Sequence, residues 1–269
     1  MISLNVKISV MNKLDQLFQH KKQNLLSVYF TAGYPELEDT GRVAAQLDRV
    51  GVDFIEIGFP FSDPVADGPV IQKSSKQALD NGMTVQRLFE QLETIQQLKI
   101  PRVLMGYINP VLQFEMEHFL RKCAETGVDG VILPDLPLEE YQMHYEKLFK
   151  KYGIHNILLI SPETPDERIQ EIARLSTSFI YLVSSNAITG SSLNTNAAAS
   201  YFERVKSLVG DQPLMAGFGI RDRATFTGVC QYTNGAIIGS AFIKALEGNP
   251  AFEEKIDEFV KDIKNPGFQ

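Results

Sequence analysis

Three carboxylates surround one apolar segment of this sequence. Glu56 interrupts the run Phe54–Phe59, which is otherwise apolar and rich in β-branched and aromatic residues, and which therefore predicts a buried strand. Asp63 and Asp67 follow in a turn-rich segment. Because an unpaired charge inside a protein is costly, a carboxylate in a buried strand is kept for chemistry or is satisfied by a structural partner. Both alternatives stay open for Glu56 at this point.

Two carboxylates in different environments can divide the acid and base roles of one reaction. Burial on a strand raises the pKa of Glu56 toward neutral pH, which suits a general acid. Asp67 is carried by a loop, where an exposed or helix-capping aspartate is the simpler interpretation. Asp63 and Asp135 stand beside prolines in turns, so a structural turn role is expected for them.

Two glycine-containing motifs late in the chain indicate a phosphate site. Gly217 and Gly219 follow one predicted strand, and Gly239-Ser240 follows the next and opens a helical stretch. In α/β barrels these two loops commonly bind phosphate through backbone N–H groups. The alternative is that the glycines only turn the chain.

The elements that must position these residues alternate between strand and helix. Eight short, continuously apolar segments predict strands buried on both faces, as in a parallel sheet: Leu25–Phe30, Phe54–Phe59, Val103–Tyr107, Gly130–Leu133, Asn156–Ile160, Phe179–Val183, Leu214–Gly217 and Ala236–Ile238. Helical spacing of apolar residues predicts helices at 12–20, 37–50, 70–80, 85–98, 113–126, 138–151, 165–176, 197–208, 222–232 and 251–264.

This alternation favours an α/β fold of the (β/α)8 TIM-barrel type, with an extra N-terminal helix and extended loops after strands 2 and 6. A doubly wound open sheet is the competing architecture. We expect residues 1–269 to form a single domain, with 1–10 as a possible N-terminal extension. The long loops leave the carboxyl ends of the strands, where barrel enzymes build their sites, and the loop after strand 6 has the composition of a lid.

Composition and motifs exclude several function classes. The net charge of −7 argues against binding to nucleic acid or an anionic membrane. The sequence contains no HExxH, CxxC, nucleophile elbow or dinucleotide-binding glycine fingerprint, so we expect neither a metal nor a nicotinamide or flavin cofactor. Apolar runs are too short to cross a bilayer, and the start lacks signal-peptide features, so a cytoplasmic location is expected. Cys123 and Cys230 are expected to be buried thiols.

Four motifs in order resemble one known family. Pro60-Phe-Ser-Asp-Pro-Val-Ala-Asp-Gly-Pro69 closely resembles the signature of the tryptophan synthase α subunit, and Pro134-Asp-Leu-Pro137, Gly217-Phe-Gly-Ile220 and Gly239-Ser240 match its other landmarks. The resemblance implies a lyase of tryptophan biosynthesis that cleaves indole-3-glycerol phosphate to indole and glyceraldehyde 3-phosphate by a retro-aldol reaction. It also implies a β subunit carrying pyridoxal phosphate, an αββα heterotetramer, and no cofactor in this chain.

The resemblance further assigns roles to single residues. Glu56 falls on the catalytic acid that protonates the indole C3 and then acts as a base, Asp67 on the aspartate that accepts the indole N–H, and Tyr181 on a tyrosine lining the active site. The expected substrate-binding residues are Tyr29, Tyr107, Ile132, Thr189, Gly190, Phe218, Gly219, Gly239 and Ser240. The residues expected to face the β subunit are Asp63, Pro64, Asn109 and Pro137.

Two positions depart from the family pattern. Ala187 stands where a glycine is more frequent, which bears on the hinge of the lid. Arg221 is unusual beside the glycines; a helix cap is the favoured interpretation, and added charge at the phosphate site is the alternative. Two further functions remain open beside the lyase of a two-subunit synthase: an inactive barrel that serves as an allosteric partner, and a free-standing indole-releasing lyase.

Overall fold

The computed structural model describes residues 11–184, 195–217, 219–248 and 252–264, with backbone alone at 195–197. Within these ranges nine parallel segments form one sheet. They are β1 (Leu25–Thr31), β2 (Phe54–Gly58), β3 (Arg102–Met105), β4 (Gly130–Ile132), β5 (His155–Asn156), β6 (Leu159–Ile160), β7 (Ile180–Val183), β8 (Leu214–Gly217) and β9 (Gly235–Ile238). Their order across the sheet is β5-β4-β3-β2-β1-β9-β8-β7-β6.

The two ends of this order belong to one interrupted strand. β5 pairs with β4 and β6 pairs with β7. The residues between them continue both ladders, since the Ile157 N–H donates to the Val131 carbonyl at 3.0 Å and the Tyr181 N–H donates to the Leu158 carbonyl at 2.9 Å. The predicted fifth strand therefore closes the sheet into an eight-strand barrel. This closure confirms the TIM barrel and excludes the open sheet.

The strands are buried as their composition predicts. Every residue of β1, β2, β4, β8 and β9 is buried. An element covered on one face by the barrel interior and on the other by helices has no exposed side, so alternation of polar and apolar residues disappears. Glu56 is the acidic residue that breaks this rule within β2.

Helices follow the strands around the outside. The helices are α1 (Lys13–His20), α2 (Asp39–Arg49), α3 (Pro69–Asp80), α4 (Val85–Thr94), α5 (Ile108–Gln113), α6 (Met116–Glu125), α7 (Leu138–Glu140), α8 (Glu146–Tyr152), α9 (Asp166–Leu175), α10 (Thr195–Val209), α11 (Arg223–Cys230), α12 (Ser240–Leu246) and α13 (Glu253–Ile263), with a π-helical turn at Tyr141–Tyr145 between α7 and α8. None of those in the described ranges has the length and apolar character of a membrane span.

Two helix predictions needed correction. The helix expected at 113–126 corresponds to α6, which begins only at Met116 because Glu115 has a φ of 66° and interrupts the helical path. The helix before it, α5, was not predicted. α4 ends at Thr94, four residues before the predicted end at residue 98. Cys123 is buried as expected, whereas Cys230 is only partly buried.

The extra helix α1 closes the amino-terminal end of the barrel. Leu14 and Phe18 are its buried residues. The Phe18 ring lies 6.4 Å from that of Phe54 on β2 and 5.6 Å from that of Phe179. The Asn12 side chain accepts from the Leu14 N–H at 2.9 Å and donates to the Asp129 carbonyl at 2.8 Å. These contacts cover the amino-terminal end of the barrel, opposite the cavity described below. Residues 1–10, which were expected to be a possible N-terminal extension, lie outside the described residues. The assignment of residues 1–269 to a single domain stays a prediction.

Candidate active site

Glu56 is a buried carboxyl in the barrel wall. It sits in β2 beside Tyr29 of β1 and Val103 of β3. Its side chain is 0% exposed, and neither carboxylate oxygen has a hydrogen-bond partner among the described residues. Burial raises the pKa of Glu56 to about 8. The structural alternative, a carboxylate satisfied by hydrogen bonds from the barrel wall, therefore has no support in the described part of the chain.

Asp67 comes from the loop between β2 and α3 and is half-buried. Burial raises its pKa to about 6, although a hydrogen bond from the Tyr107 hydroxyl opposes that rise. The same hydroxyl accepts the Ala66 N–H at 2.9 Å. A capping role is absent, because α3 begins after Gly68 without a side-chain cap. At neutral pH the arrangement holds Glu56 protonated and Asp67 largely ionised.

A cavity of about 510 Å³ opens beside these two groups. Asp67 lines it directly, together with Tyr29 and Tyr181. Glu56 is not among the lining residues, but it raises the pKa of both tyrosines electrostatically, in addition to the larger effect of burial. The other lining residues are Ile71, Met105, Gly219, Ile220, Arg221, Ile237, Gly239, Ser240, Ala241, Lys244 and Phe259.

Two glycines at strand ends make room for the tyrosine hydroxyls. A Cβ on Gly58 would lie 2.1 Å from the Tyr29 hydroxyl oxygen. A Cβ on Gly217 would lie 1.9 Å from that of Tyr181. Both distances are far below van der Waals contact, so these positions are glycine because the tyrosine side chains cross them.

The expected phosphate residues border the same cavity on its other side. Gly219 has a φ of 76°, in the region that favours glycine. Gly239 is the N-cap of α12 and makes no side-chain capping bond, so Ser240 begins the helix with uncapped N–H groups. The prediction thus placed Gly219, Gly239 and Ser240 at one site, although they come from two different loops.

Arg221 combines features of both predicted roles. Its backbone N–H donates to Thr225 Oγ1 at 3.1 Å, and Asp222 and Thr225 form the capping box of α11. Its side chain lines the cavity, with Nε 3.5 Å from Asp222 Oδ2. The cap is therefore made by Asp222 and Thr225, and Arg221 lines the cavity.

Other predicted substrate contacts lie elsewhere. Ile132 is fully buried in β4 and does not line the cavity. Tyr107 borders a smaller adjoining space together with Phe61, whose ring centroid is 5.4 Å away. Thr189, Gly190, Phe218 and Ala187 lie outside the described residues.

The sequence interpretation missed several lining residues, of which Lys244 is the charged one. Lys244 stands four residues after Ser240, and this spacing places both on one helix face. That spacing was a signal the sequence contained. Ile71, Met105 and Phe259 carried no such signal, because apolar residues at helical or strand spacing indicate core packing. Within the described ranges, no three His, Cys, Asp or Glu side chains cluster as metal ligands.

The four expected interface residues follow β2, β3 and β4 on one side of the barrel mouth. Asp63, Asn109 and Pro137 are exposed and Pro64 is half-buried. Large exposed apolar side chains accompany them on the same connections: Val65 is 86% exposed, Leu112 47% and Met143 73%.

Comparisons with known proteins point to one family. The family model described as "Tryptophan synthase alpha chain" matches residues 14–266. The tryptophan synthase alpha chain of Christiangramia forsetii is 51% identical over 256 residues, covering 94% of this chain and 99% of the relative. That of Bacteroides thetaiotaomicron is 50% identical over 239 residues, covering 88% and 93%.

Solved structures agree with the sequence relatives. A crystal structure of tryptophan synthase from M. tuberculosis in an aminoacrylate-bound form has a TM-score of 0.83 at 29% identity, covering 94% of this chain and 98% of that chain. A mutant tryptophan synthase alpha-subunit from Pyrococcus furiosus has a TM-score of 0.81 at 31% identity, covering 90% and 98%.

Proposed function

Because the chain belongs to the tryptophan synthase alpha chain family and is a lyase that cleaves indole-3-glycerol phosphate, we propose that Glu56 and Asp67 carry its chemistry. One observation supports the assignment above all. Glu56 is buried with no hydrogen-bond partner in the described part of the chain, and it has a pKa of about 8, beside a cavity lined by a second carboxyl whose pKa is about 6. Such a pair suits an acid and an anion that act on one substrate.

Glu56 is the proton donor of the proposed mechanism. The bond between C3 of indole and the glycerol chain breaks only after the ring has lost its aromaticity through protonation at C3. A carboxylic acid that remains protonated at neutral pH supplies this proton, and general acid catalysis of this kind contributes ~10²–10⁴-fold. Since Glu56 lies beneath the cavity surface, its side chain must turn toward the cavity to reach C3.

Asp67 balances the charge that this step creates. Protonation at C3 gives an indolenine cation, and an ionised carboxylate that accepts the ring N–H stabilises it. The hydrogen bond from Tyr107 favours the ionised form of Asp67 and holds it toward the cavity. Tyr29 and Tyr181 form the wall between the two carboxyls and confine the ring.

The second step breaks the carbon–carbon bond and returns a proton to Glu56. The Glu56 carboxylate takes the proton from the hydroxyl on the carbon attached to C3. The electrons of that O–H bond form the aldehyde C=O, the carbon–carbon bond breaks, and its electron pair restores the indole ring. The products are indole and glyceraldehyde 3-phosphate, and Glu56 is protonated again.

The phosphate end of the substrate is assigned to Gly219, Gly239 and Ser240. Backbone N–H groups at Gly239 and Ser240 are free of side-chain caps. Because phosphate is remote from the breaking bond, its binding energy holds the reacting carbon in position without taking part in the chemistry. Thr189, Gly190 and Phe218 stay predictions for this end of the site.

Association with a β chain is the second part of the proposal. The exposed apolar residues Val65, Leu112 and Met143 lie on the connections that carry Asp63, Asn109 and Pro137, and this apolar exposure supports the proposal that these connections meet another protein. The β chain is expected to carry pyridoxal phosphate and to form an αββα complex in the cytoplasm. Co-elution of the two chains in size-exclusion chromatography tests this, and separate elution favours a free-standing lyase.

The decisive experiment is indole release by Glu56→Gln. We expect a decrease of at least ~100-fold in kcat at pH 7 without loss of the fold, measured with indole-3-glycerol phosphate with and without the β chain. Glu203→Gln, on the exposed face of α10, is the control for loss of one negative charge. Near-normal turnover by Glu56→Gln would refute the mechanism, and no indole release by the unaltered chain would favour the inactive partner.

A further inference from the structure

Negative and positive side chains line opposite sides of the cavity. Three of the described residues that line it are charged: Asp67, Arg221 and Lys244. Asp67 follows β2, Arg221 follows β8 and Lys244 follows β9, while the sheet runs β2-β1-β9-β8. The carboxylate therefore stands on one side of β1, which carries Tyr29, and both cations stand on the other.

Lys244 faces this space because of its position in α12. Phe242, Ile243 and Leu246 bury the inner face of the helix, while Ser240 and Lys244, four residues apart, share the face toward the cavity. The Lys244 side chain is exposed, and within the described ranges no carboxylate lies within 4 Å of it. The adjacent Glu247 pairs with Lys73 instead, at 2.8 Å.

Arg221 approaches from the neighbouring loop. Asp222, which lies 3.5 Å from its guanidinium Nε, is itself engaged by Thr225 in the capping box of α11. Gly219, two residues earlier, turns the chain after β8 with a φ of 76°. Both cationic residues line the same cavity.

The overall charge gives such a rim a role in binding. The chain carries a net charge of −7, and a phosphate monoester carries nearly two negative charges at neutral pH. The summed field therefore repels the substrate, whereas local cations at the mouth of a cleft raise the encounter rate and select the anionic end.

We infer that Lys244, assisted by Arg221, forms a cationic rim that captures the phosphate of the substrate and thereby directs the indole ring toward Asp67. This inference rests on the proposed function and adds two side chains to a phosphate site otherwise made of backbone groups. The rim acts on binding and orientation, and it exchanges no proton with the substrate.

The test is steady-state kinetics of Lys244→Gln in the full-length chain. We expect KM for indole-3-glycerol phosphate to rise about 5-fold with a change in kcat below about 2-fold, since an interaction present in ground and transition states affects mainly KM. In Lys244→Gln, kcat/KM should decrease less steeply as the ionic strength rises, because the attraction that salt would screen has been removed. Lys244→Arg restores KM, and Arg221→Gln adds to the loss.

Lys147→Gln is the matched control, since Lys147 is an exposed residue of α8 outside the cavity and the variant has the same net charge. Equal KM values and equal salt dependence in Lys244→Gln and Lys147→Gln would overturn the rim while leaving the lyase assignment intact.

Calorimetric binding of glycerol 3-phosphate separates this inference from the mechanism, because it requires no turnover. Weaker binding to Lys244→Gln than to Lys147→Gln supports the rim even if Glu56 is assigned wrongly. Equal binding to both variants contradicts it.

Discussion

The hydroxyl of Tyr107 donates a hydrogen bond to the carboxylate of Asp67. It also accepts the Ala66 N–H at 2.9 Å, so one tyrosine holds both the backbone and the reactive side chain of the loop after β2. Asp67 is far from Tyr107 in sequence, and the contact exists because β2 and β3 are neighbours in the barrel. A residue expected to bind the substrate thus favours the ionised form of Asp67, against the larger effect of burial.

Tyr107→Phe is expected to shift the acid limb of the kcat/KM profile to higher pH. The hydrogen bond stabilises ionised Asp67, so its removal raises the pKa of Asp67 above about 6. A shift of about one pH unit corresponds to ~1.4 kcal/mol, within the range for a hydrogen bond to a charged group. The rate of indole release relative to the unaltered protein then decreases below pH 7 and recovers at pH 8. Tyr152→Phe, which removes a hydroxyl bonded to Glu117 on the outer surface, is the control; coincident profiles would contradict the prediction.

Asp63 and Asp67 provide a matched pair in one loop. Asp67→Asn is expected to lower kcat/KM for indole release about 100-fold, because the amide cannot supply the negative charge that the indolenine needs. Asp63→Asn is expected to change the same rate less than 2-fold, because its exposed carboxylate accepts a hydrogen bond from Ser62 at 2.6 Å, away from the cavity. The Asp63→Asn substitution should instead weaken binding to the β chain, as measured by titration calorimetry. Similar rates for the two variants would remove Asp67 from the mechanism.

Glu56→Gln is expected to stabilise the fold while it abolishes activity. Glu56 has a pKa of about 8 in the folded chain and about 4.3 when unfolded, so between these values the folded state retains a proton that the unfolded state has lost. The free energy of unfolding of the unaltered protein therefore falls as pH rises through this interval, by up to ~1.4 kcal/mol per unit for this group. Glutamine removes that dependence.

Urea denaturation at pH 4, 6 and 8 measures this effect. The stability advantage of Glu56→Gln should be smallest at pH 4 and reach a few kcal/mol at pH 8. Glu203→Gln, at an exposed position, should track the unaltered protein throughout. Parallel pH curves for Glu56→Gln and the unaltered protein would show that the buried carboxyl is satisfied in solution.

Gly217→Ala tests whether the Tyr181 side chain needs the space left by the missing Cβ of Gly217. The added Cβ would lie 1.9 Å from the tyrosine hydroxyl oxygen, so the ring or the end of β8 must move. Overpacking of this kind typically costs 1–3 kcal/mol, and displacement of Tyr181 should reduce indole release as well. Thermal denaturation and kinetics measure both effects, and a variant with unaltered stability and rate would show that Tyr181 moves freely.

Secondary structure was largely accessible from the sequence because burial on both faces leaves a simple apolar pattern. The strand Leu214–Gly217 was predicted with its observed bounds. The segment Asn156–Ile160 was predicted as one strand, and its division into β5 and β6 depends on pairing with two different neighbours. The start of α6 was predicted at residue 113, three residues early, because a glutamate such as Glu115 does not by itself indicate a positive φ.

The sequence by itself identified Glu56 and Asp67 as unusual, since an acid in a buried strand and a signature loop are local properties. It could not decide whether Glu56 is satisfied, because partners come from other strands. Only the closed barrel brings Tyr107 to Asp67, Tyr181 to Gly217, and Lys244 to the side of the cavity opposite Asp67. Residue types set which chemistry is possible. Distances between segments far apart in the chain set the pKa values and the orientation of the substrate.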